Sequence, residues 1–171
     1  GDNAAFGAAS LDATNSTFDL KDTGLVSITG NANLTNSQVR FDNNGRLDAV
    51  DLTGLAGSLI EFLINGILNL DDLKLVGSTL TMGSKALVTV STTEVDDDVA
   101  NSLPGSATFG IDSTISSFGG ATLKGGDVTV GANSTIQVGD LTMRLGTNAA
   151  NVQLDTGVTG LFGNIDAIAA S

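Results

Sequence analysis

Asn36-Ser37-Gln38-Val39-Arg40-Phe41 returns 21 residues later as Gly57-Ser58-Leu59-Ile60-Glu61-Phe62. The pattern is Asn or Gly, then Ser, one variable residue and an apolar–polar–apolar triplet. It also begins at Asn15 and Gly77, so four starts are separated by 21, 21 and 20 residues, and it recurs at Asp112 and Asn133. A constant period between ~20 and 50 residues indicates repeats that bury their apolar faces only by stacking on one another.

Superposing the first four repeats gives columns of like residues. The fourth column holds Phe18, Val39, Ile60 and Leu80, the sixth holds Leu20, Phe41, Phe62 and Met82, and Asp19, Arg40, Glu61 and Thr81 lie between them. This alternation predicts a strand with one buried face. The tenth column holds Gly24, Gly45, Gly66 and Ala86, which indicates a corner because Asn-Gly steps adopt positive φ at little cost.

Two further strands complete each predicted repeat. The second strand follows the glycine corner and has Val26, Ile28, Leu47, Ala49, Leu68, Leu70, Val88 and Val90 as its inward residues. The third strand is predicted within residues 32–34, 50–52, 73–75 and 128–130. Three strands and three corners in about 20 residues describe one coil of a parallel β-helix.

The predicted fold is therefore all-β, a single-domain parallel β-helix (β-solenoid) with coils of about 20–21 residues. We divide it into an N-terminal segment (1–14), regular coils (15–90), an acidic insertion (91–111, centred on 91–110), further coils (112–145) and a C-terminal cap or assembly segment (146–171). An antiparallel sandwich is the alternative, because Asn-Gly between alternating runs is also a hairpin signal. Hairpins do not explain why the same motif recurs at a constant interval of 20–21 residues.

Composition limits the classes of partner. Seven Lys and Arg against 19 Asp and Glu give a formal net charge of −12, with no Cys, His, Trp or Tyr. Nucleic acid is excluded as an expected partner because there is no basic face for phosphate, and no apolar run reaches the ~20 residues of a membrane span. Few Lys, no Cys and much Gly, Asn, Ser and Thr predict an extracellular or cell-surface location.

The run from Asn44 to Thr53, NGRLDAVDLT, resembles the G-x-L-x-A-x-x-L repeat of filamentous-haemagglutinin-like adhesins, and Gly66-Ile67-Leu68-Asn69-Leu70 is similar to it. The resemblance covers residues 15–90 and 112–145. It implies a right-handed parallel β-helix in an exported bacterial surface protein that mediates attachment. The N-P-N-L type secretion signal of full-length members is absent from this sequence, so the resemblance does not extend to their secretion route.

Residues for catalysis are few, and no cofactor is predicted. His, the usual general base near neutral pH, and Cys, the best nucleophile, are both absent. One outward column consists of Asp19, Arg40, Glu61 and Thr81, and it has two interpretations. Its carboxylates could belong to a polysaccharide-binding cleft, or the column could be a solvated face whose alternating charges stabilise neighbouring coils. We favour the second, and predict that the protein is not an enzyme.

Asp96, Asp97 and Asp98 form the most acidic run of the chain. Calcium takes carboxylate and carbonyl oxygens, so these three residues are a candidate calcium site. The alternative is an acidic loop that stays in water, because neither the spacing of a calcium-binding loop nor a calcium-binding repeat accompanies them.

The third repeat is unusually apolar on its outside. It places Leu59, Leu63 and Ile64 where other repeats have polar residues, Ile67 extends this apolar band, and the C-terminal segment adds Leu161, Phe162 and Ile165. Contiguous exposed apolar surface usually marks a contact. We predict that these residues mediate self-association, or that the third-repeat patch is covered by another segment of the same chain.

These observations favour a non-enzymatic structural protein, the subunit of a self-assembling extracellular or cell-surface fibre or matrix, with itself as its main partner. A monomeric adhesin with a glycan or protein receptor, or an ice-binding module using Thr79, Thr81, Thr89, Thr129 and Thr142, is the alternative. A β-helix enzyme acting on polysaccharides stands third.

Overall fold

A computed structural model describes residues 4–21, 23–144 and 148–168. These residues form an all-β, parallel β-solenoid of about eight turns, as predicted, and include no helix. The strands in chain order are β1 (Ala5–Ala8), β2 (Leu11–Thr14), β3 (Thr17–Leu20), β4 (Leu25–Ile28), β5 (Ala32–Thr35), β6 (Gln38–Phe41), β7 (Arg46–Asp48), β8 (Asp51–Leu55), β9 (Leu59–Phe62), β10 (Ile67–Val76), β11 (Thr79–Met82), β12 (Leu87–Asp96), β13 (Ser106–Phe109), β14 (Thr114–Lys124), β15 (Asp127–Val130), β16 (Thr135–Val138), β17 (Leu141–Arg144), β18 (Asn151–Leu154), β19 (Thr159–Phe162) and β20 (Ile165–Ile168).

The strands lie in three parallel stacks. The first stack is β3-β6-β9-β11-β13-β15-β18. The second is β1-β4-β7-β10-β12-β14-β16-β19, and the third is β2-β5-β8-β10-β12-β14-β17-β20. The long strands β10, β12 and β14 pass through the corner between the second and third stacks and contribute to both. The successive coils are β1–β2, β3–β5, β6–β8, β9–β10, β11–β12, β13–β14, β15–β17 and β18–β20.

The predicted columns are confirmed in register. Ile60 pairs with Val39 on one side and Leu80 on the other, and Phe62 pairs with Phe41 and Met82 in the same way. All of these side chains are buried, and they belong to one hydrophobic cluster that runs along the axis. Residues directly above one another share an environment, which is why the same position stays apolar in every coil.

Two corners of most coils use positive φ, as the Asn and Gly columns predicted. Before the first stack the residues include Asn15 (φ 51°), Asn36 (47°), Gly57 (80°) and Gly77 (55°), and before the second stack they include Asn44 (60°) and Asn65 (55°). After the second corner, a Cβ added to Gly45 would lie 2.3 Å from the Cβ of Phe41. Glycine there lets the chain turn against the side chain that fills the core.

Serine completes the first corner. Ser37, Ser58 and Ser78 are buried. The backbone N–H of Ser37 donates to Oγ of Ser58 (3.2 Å), and the N–H of Ser58 donates to Oγ of Ser78 (3.2 Å). Each hydroxyl also donates to a backbone carbonyl two or three residues before it in the chain. The repeated Ser therefore satisfies backbone groups that turn inward, where water cannot reach them.

Two groups of residues were assigned to the wrong stack from the sequence. The repeats that begin at Asp112 and Asn133 do not continue the first stack, because Ile115 pairs with Val88 and Ile136 pairs with Ile115 in the second stack. Residues 128–130 lie in β15 of the first stack, not in the third. Both corners require a left-handed residue followed by a small one, so their local sequences look alike.

The interruption of the stack is shorter than the predicted insertion at 91–111. Residues 91–96 complete β12, and β13 already belongs to the first stack, so only residues 97–105 leave the coil. The N-terminal segment 1–14, which was predicted to lie outside the regular coils, contains from residue 4 onward β1 and β2, which pair with β4 and β5 and form the first coil. The segment 146–171 includes β18–β20, which stack as an eighth coil.

Candidate interaction surfaces

The charged column on the first stack is a ladder of alternating charges. Asp19 pairs in register with Arg40, which pairs with Glu61, and Arg40 Nε lies 3.1 Å from Glu61 Oε2. Arg40 therefore separates the two carboxylates and is bound to one of them. The structure agrees with the interpretation of a solvated face, in which each exposed pair contributes about 0.5 kcal/mol.

The three consecutive aspartates do not converge on a common point. Asp97 is buried and accepts hydrogen bonds from the backbone N–H groups of Gly105 and Asn148, while exposed Asp98 accepts from Asn101 and Ala100. Hydrogen bonds from Asn101 hold the pKa of Asp98 below its usual range. Among the described residues no group of three or more metal-binding side chains is placed to hold a metal ion. The arrangement gives no support to a calcium site at these residues, which instead fasten the 97–105 loop.

Asp96 forms an acidic pair with Glu94 on the outside of the third stack. Burial raises the pKa of Asp96 to about 6, and the neighbouring Glu94 acts in the same direction. Burial would also raise the pKa of Glu94, but the hydrogen bonds from Lys74 Nζ (2.9 Å) and Asp96 and the charges of Lys74 and Lys124 together outweigh burial, and the pKa is lowered. The pair therefore holds one proton on Asp96 in mildly acidic solution.

Leu63, Ile64 and Ile67 of the third repeat lie around the corner after β9 and, with Leu87 of the next repeat, form what we call the lateral patch, whereas Leu59 lies at the start of β9, beyond Glu61 on the same face. Leu63 and Ile64 are each 46% exposed in the corner after β9, and Leu87 (43%) stacks on Ile67. The 97–105 loop lies against the corner before the first stack, where a Cβ added to Gly57 would lie 3.7 Å from Leu103 Cδ1, and it leaves Leu63 and Ile64 exposed. Self-association through this patch stays a prediction.

The C-terminal residues of that prediction lie elsewhere. Phe162 and Ile165 belong to inward columns of the eighth coil, and Leu161 points outward beside them. In the second stack, β19 is four strand spacings from β10, about 19 Å along the axis. The structure therefore separates the three C-terminal residues from those of the third repeat.

Both ends of the apolar core open to solvent. At the first coil, Phe6 (42% exposed) and half-buried Leu11 and Phe18 line a cavity of about 250 Å³. At the eighth coil, the inward residues Leu154 and Ile165 are 42% and 59% exposed. No described residue pairs with the outer edges of β1, β2 and β3, or with those of β18, β19 and β20. We call these two surfaces the end plates.

The threonines considered for ice binding lie on different faces. Thr81 and Thr129 share an outward column of the first stack with Thr108 between them. Thr79 lies in the adjacent outward column of that stack, whereas Thr89 belongs to the second stack and Thr142 to the third. The regular part of the array is therefore a single column of three threonines.

Sequence reasoning missed a polar groove on the third stack. It has a volume of about 440 Å³ and spans the fifth to seventh coils. Its walls and floor are Thr92, Thr93, Glu94, Gly119, Gly120, Ala121, Thr122, Asp140, Thr142 and Arg144. Its residues come from three different coils, so no continuous stretch of sequence predicts the groove. The Gly119-Gly120 doublet was the one local feature that pointed to it.

No protein-family model, curated protein or solved structure shows significant similarity to this chain. In the part of the chain that the structure describes, no helix is long and apolar enough to cross a membrane.

Proposed function

We propose that this chain is a non-enzymatic structural protein, a rod-shaped subunit of a self-assembling extracellular or cell-surface fibre. The observation that carries the proposal is the pair of end plates. Each presents unpaired strand edges in the same three-stack geometry together with exposed residues of the inward columns. A further coil placed there pairs those edges and buries those side chains.

The end plates are complementary in chemistry. One offers Phe6, Leu11 and Phe18 around an open cavity, and the other offers Leu154, Phe162 and Ile165. Burying one such side chain contributes about 1.5–3 kcal/mol before the costs of association. A second copy supplies the next coil of the rod, head to tail. A heterologous contact of this kind continues as a filament.

The resemblance of residues 44–53 and 66–70 to filamentous-haemagglutinin-like repeats agrees with an exported, rod-forming role. The absence of Cys also agrees with it, because strand ladders rather than disulfides hold the coils together.

Assembly is tested by sedimentation and negative-stain electron microscopy over a concentration series. Eight coils give a monomer about 4 nm long, and we expect rods of several times that length that grow with concentration. The double variant Leu154→Asp/Ile165→Asp should abolish them. Val99→Asp is the matched control, because Val99 is 60% exposed in the 97–105 loop away from both end plates. A wild-type protein that stays monomeric at high concentration removes the proposal.

A second candidate is a monomeric ice-binding module. The observation that favours it is the column Thr81, Thr108 and Thr129, which repeats hydroxyl and methyl groups at the strand spacing of about 4.8 Å. Thermal hysteresis of the purified protein that is lost in Thr108→Val would support this function, and a freezing point equal to that of a matched inert protein would reject it.

A further inference from the structure

The groove on the third stack exists because the sequence departs from the coil pattern at one corner. Between β12 and β14 the register shifts, since Ser117 pairs with Val90 but Gly120 pairs with Thr92. β14 therefore has two residues at this corner, Phe118 and Gly119, where β12 has one. Gly120 then occupies the outward column that holds Asp51, Asp72 and Thr92 in earlier coils. At the sixth coil this column therefore carries no side chain, and Gly120 lines the recess.

Side chains larger than glycine do not fit at the recess. Gly120 has φ 122°, and a Cβ there would lie 2.7 Å from the carbonyl oxygen of Asp140. A Cβ on Gly119 would lie 2.8 Å from the carbonyl oxygen of Ser91. The bulge is held open by backbone geometry, so the recess is a fixed feature of the fold.

The core beneath the groove is less well filled than elsewhere. Thr93 and Ala121 occupy the inward column that holds Leu52, Leu73 and Leu141 in other coils. Ser117 lies between Val90 and Val138 in another inward column. Thr93 Oγ1 and Ser117 Oγ are 3.1 Å apart, and Ser117 Oγ donates to the carbonyl of Gly120 (2.8 Å). Apolar packing is replaced by polar support at this corner, and departures of this kind concentrate at functional sites.

The groove offers hydroxyl groups and one guanidinium group. Lys74 is bound to Glu94, and Asp140 Oδ1 accepts from the backbone N–H of Asn164 (2.9 Å). Among the described residues, no hydrogen bond or salt bridge holds the Arg144 side chain, which lines the groove at the seventh coil. Thr122 and Thr142 stack in register beside it. A guanidinium group binds a carboxylate with two parallel hydrogen bonds, and hydroxyls and carboxylates bind the hydroxyls of a sugar.

The groove continues along the axis. A second depression of about 220 Å³ shares Thr92 and Glu94 with it and reaches Asp72 and Asp51. Together they cross five coils, four spacings or about 19 Å, and the strand spacing is close to the length of one pyranose unit. The acidic residues at the far end disfavour a ligand charged along its whole length, so the carboxylate belongs at the Arg144 end.

We propose that this groove binds an oligosaccharide carrying a carboxylate, with Arg144 holding the carboxylate and Thr92, Thr122 and Thr142 contacting the sugar hydroxyls. The binding site lies on the side of the rod and does not depend on assembly at the end plates. Because no aromatic ring among the described residues lines the groove, the dissociation constant should be about 1 mM.

Isothermal titration and ligand-observed NMR test the proposal with sialyllactose and cellobiouronate, which each carry a single carboxylate at one end, as carboxylated probes and lactose as the neutral probe. We expect at least one carboxylated probe to bind at millimolar concentration and lactose to bind at least tenfold more weakly. Arg144→Ala and Thr122→Val should each weaken binding about tenfold or more. Arg40→Ala, on the first stack, is the matched control and should bind as the wild type does.

Three outcomes overturn the proposal. They are no binding of either carboxylated probe at millimolar concentration, equal binding of lactose, and unchanged binding by Arg144→Ala. Thr122→Val preserves shape and lies on a strand surface, so its thermal unfolding, compared with wild type, separates a lost contact from a lost fold.

Discussion

The rings of Phe41 and Phe62 stack in the core with centroids 4.4 Å apart and planes 4° from parallel. They occupy the same position in consecutive coils, paired in register between β6 and β9. The solenoid places side chains of the same column one strand spacing apart. Two aromatic rings in one column are therefore held at the distance at which they stack.

Phe62→Ala should lower the free energy of unfolding by about 3–5 kcal/mol, because it leaves a cavity and removes the ring that contacts Phe41. Denaturant unfolding followed by circular dichroism measures the loss. Phe118→Ala is the control, since Phe118 is 59% exposed and should change stability by less than ~0.5 kcal/mol. Equal effects of the two variants would contradict the buried position of Phe62.

Ser58→Ala should cost about 1–3 kcal/mol, although it removes one oxygen atom. Ser58 Oγ accepts from the N–H of Ser37 and donates to the carbonyl of Leu55 (2.7 Å), and both groups would be left without this partner beside the buried corner. Chemical denaturation measures the cost, with half-buried Ser116→Ala as the control. Hydrogen exchange of the Ser37 amide should accelerate in Ser58→Ala, and an unchanged rate would argue against the ladder.

Lys85→Asn should raise stability by about 0.5–1 kcal/mol. Lys85 adopts φ 59° in the corner before the second stack, a conformation in which Asn is less strained. Its neighbour Asn65 donates to Oδ1 of Asn44 (2.9 Å), so a third Asn would extend that ladder. The expected rise in Tm is about 1–4 °C. A lower Tm would mean that the lysine side chain has a role we have not identified.

Asp96→Asn should remove a pH-dependent loss of stability. The folded-state pKa of Asp96 is raised from 3.8 to about 6, so the unfolded chain ionises first as pH rises. The penalty is therefore absent below pH 3.8, grows between pH 3.8 and 6, and is fully present above pH 6. Because Asp96 is partly exposed, screening reduces it to about 1 kcal/mol.

The measurement is urea unfolding of wild type and Asp96→Asn at pH 4 and pH 7. The stability difference between the two proteins should increase from the lower to the higher pH. Asp98→Asn is a control of opposite sign, since the pKa of Asp98 is lowered in the folded state and its contribution is lost as pH falls. A difference for Asp96→Asn that is independent of pH would contradict the raised pKa.

The sequence predicted less of the binding surfaces than of the core. Leu63 and Ile64 were identified as exposed because they break a polar column, and the structure places both in solvent. The Asp96–Asp98 run was proposed as one site, yet adjacent residues on a strand and its following turn point in different directions. The groove around Gly120 was not predicted, since its walls are separated by 20 residues or more in sequence.

The sequence by itself determined the period, the inward columns and the left-handed corners, because every coil meets the same neighbours above and below and must repeat their size and polarity. Tertiary structure alone decided which stack a repeat joins. Asp112-Ser113 and Asn15-Ser16 carry the same local signal, but one precedes the second stack and the other the first. Local sequence encodes the turn, whereas the stack that follows depends on how many residues the 97–105 loop and the β14 bulge place between coils.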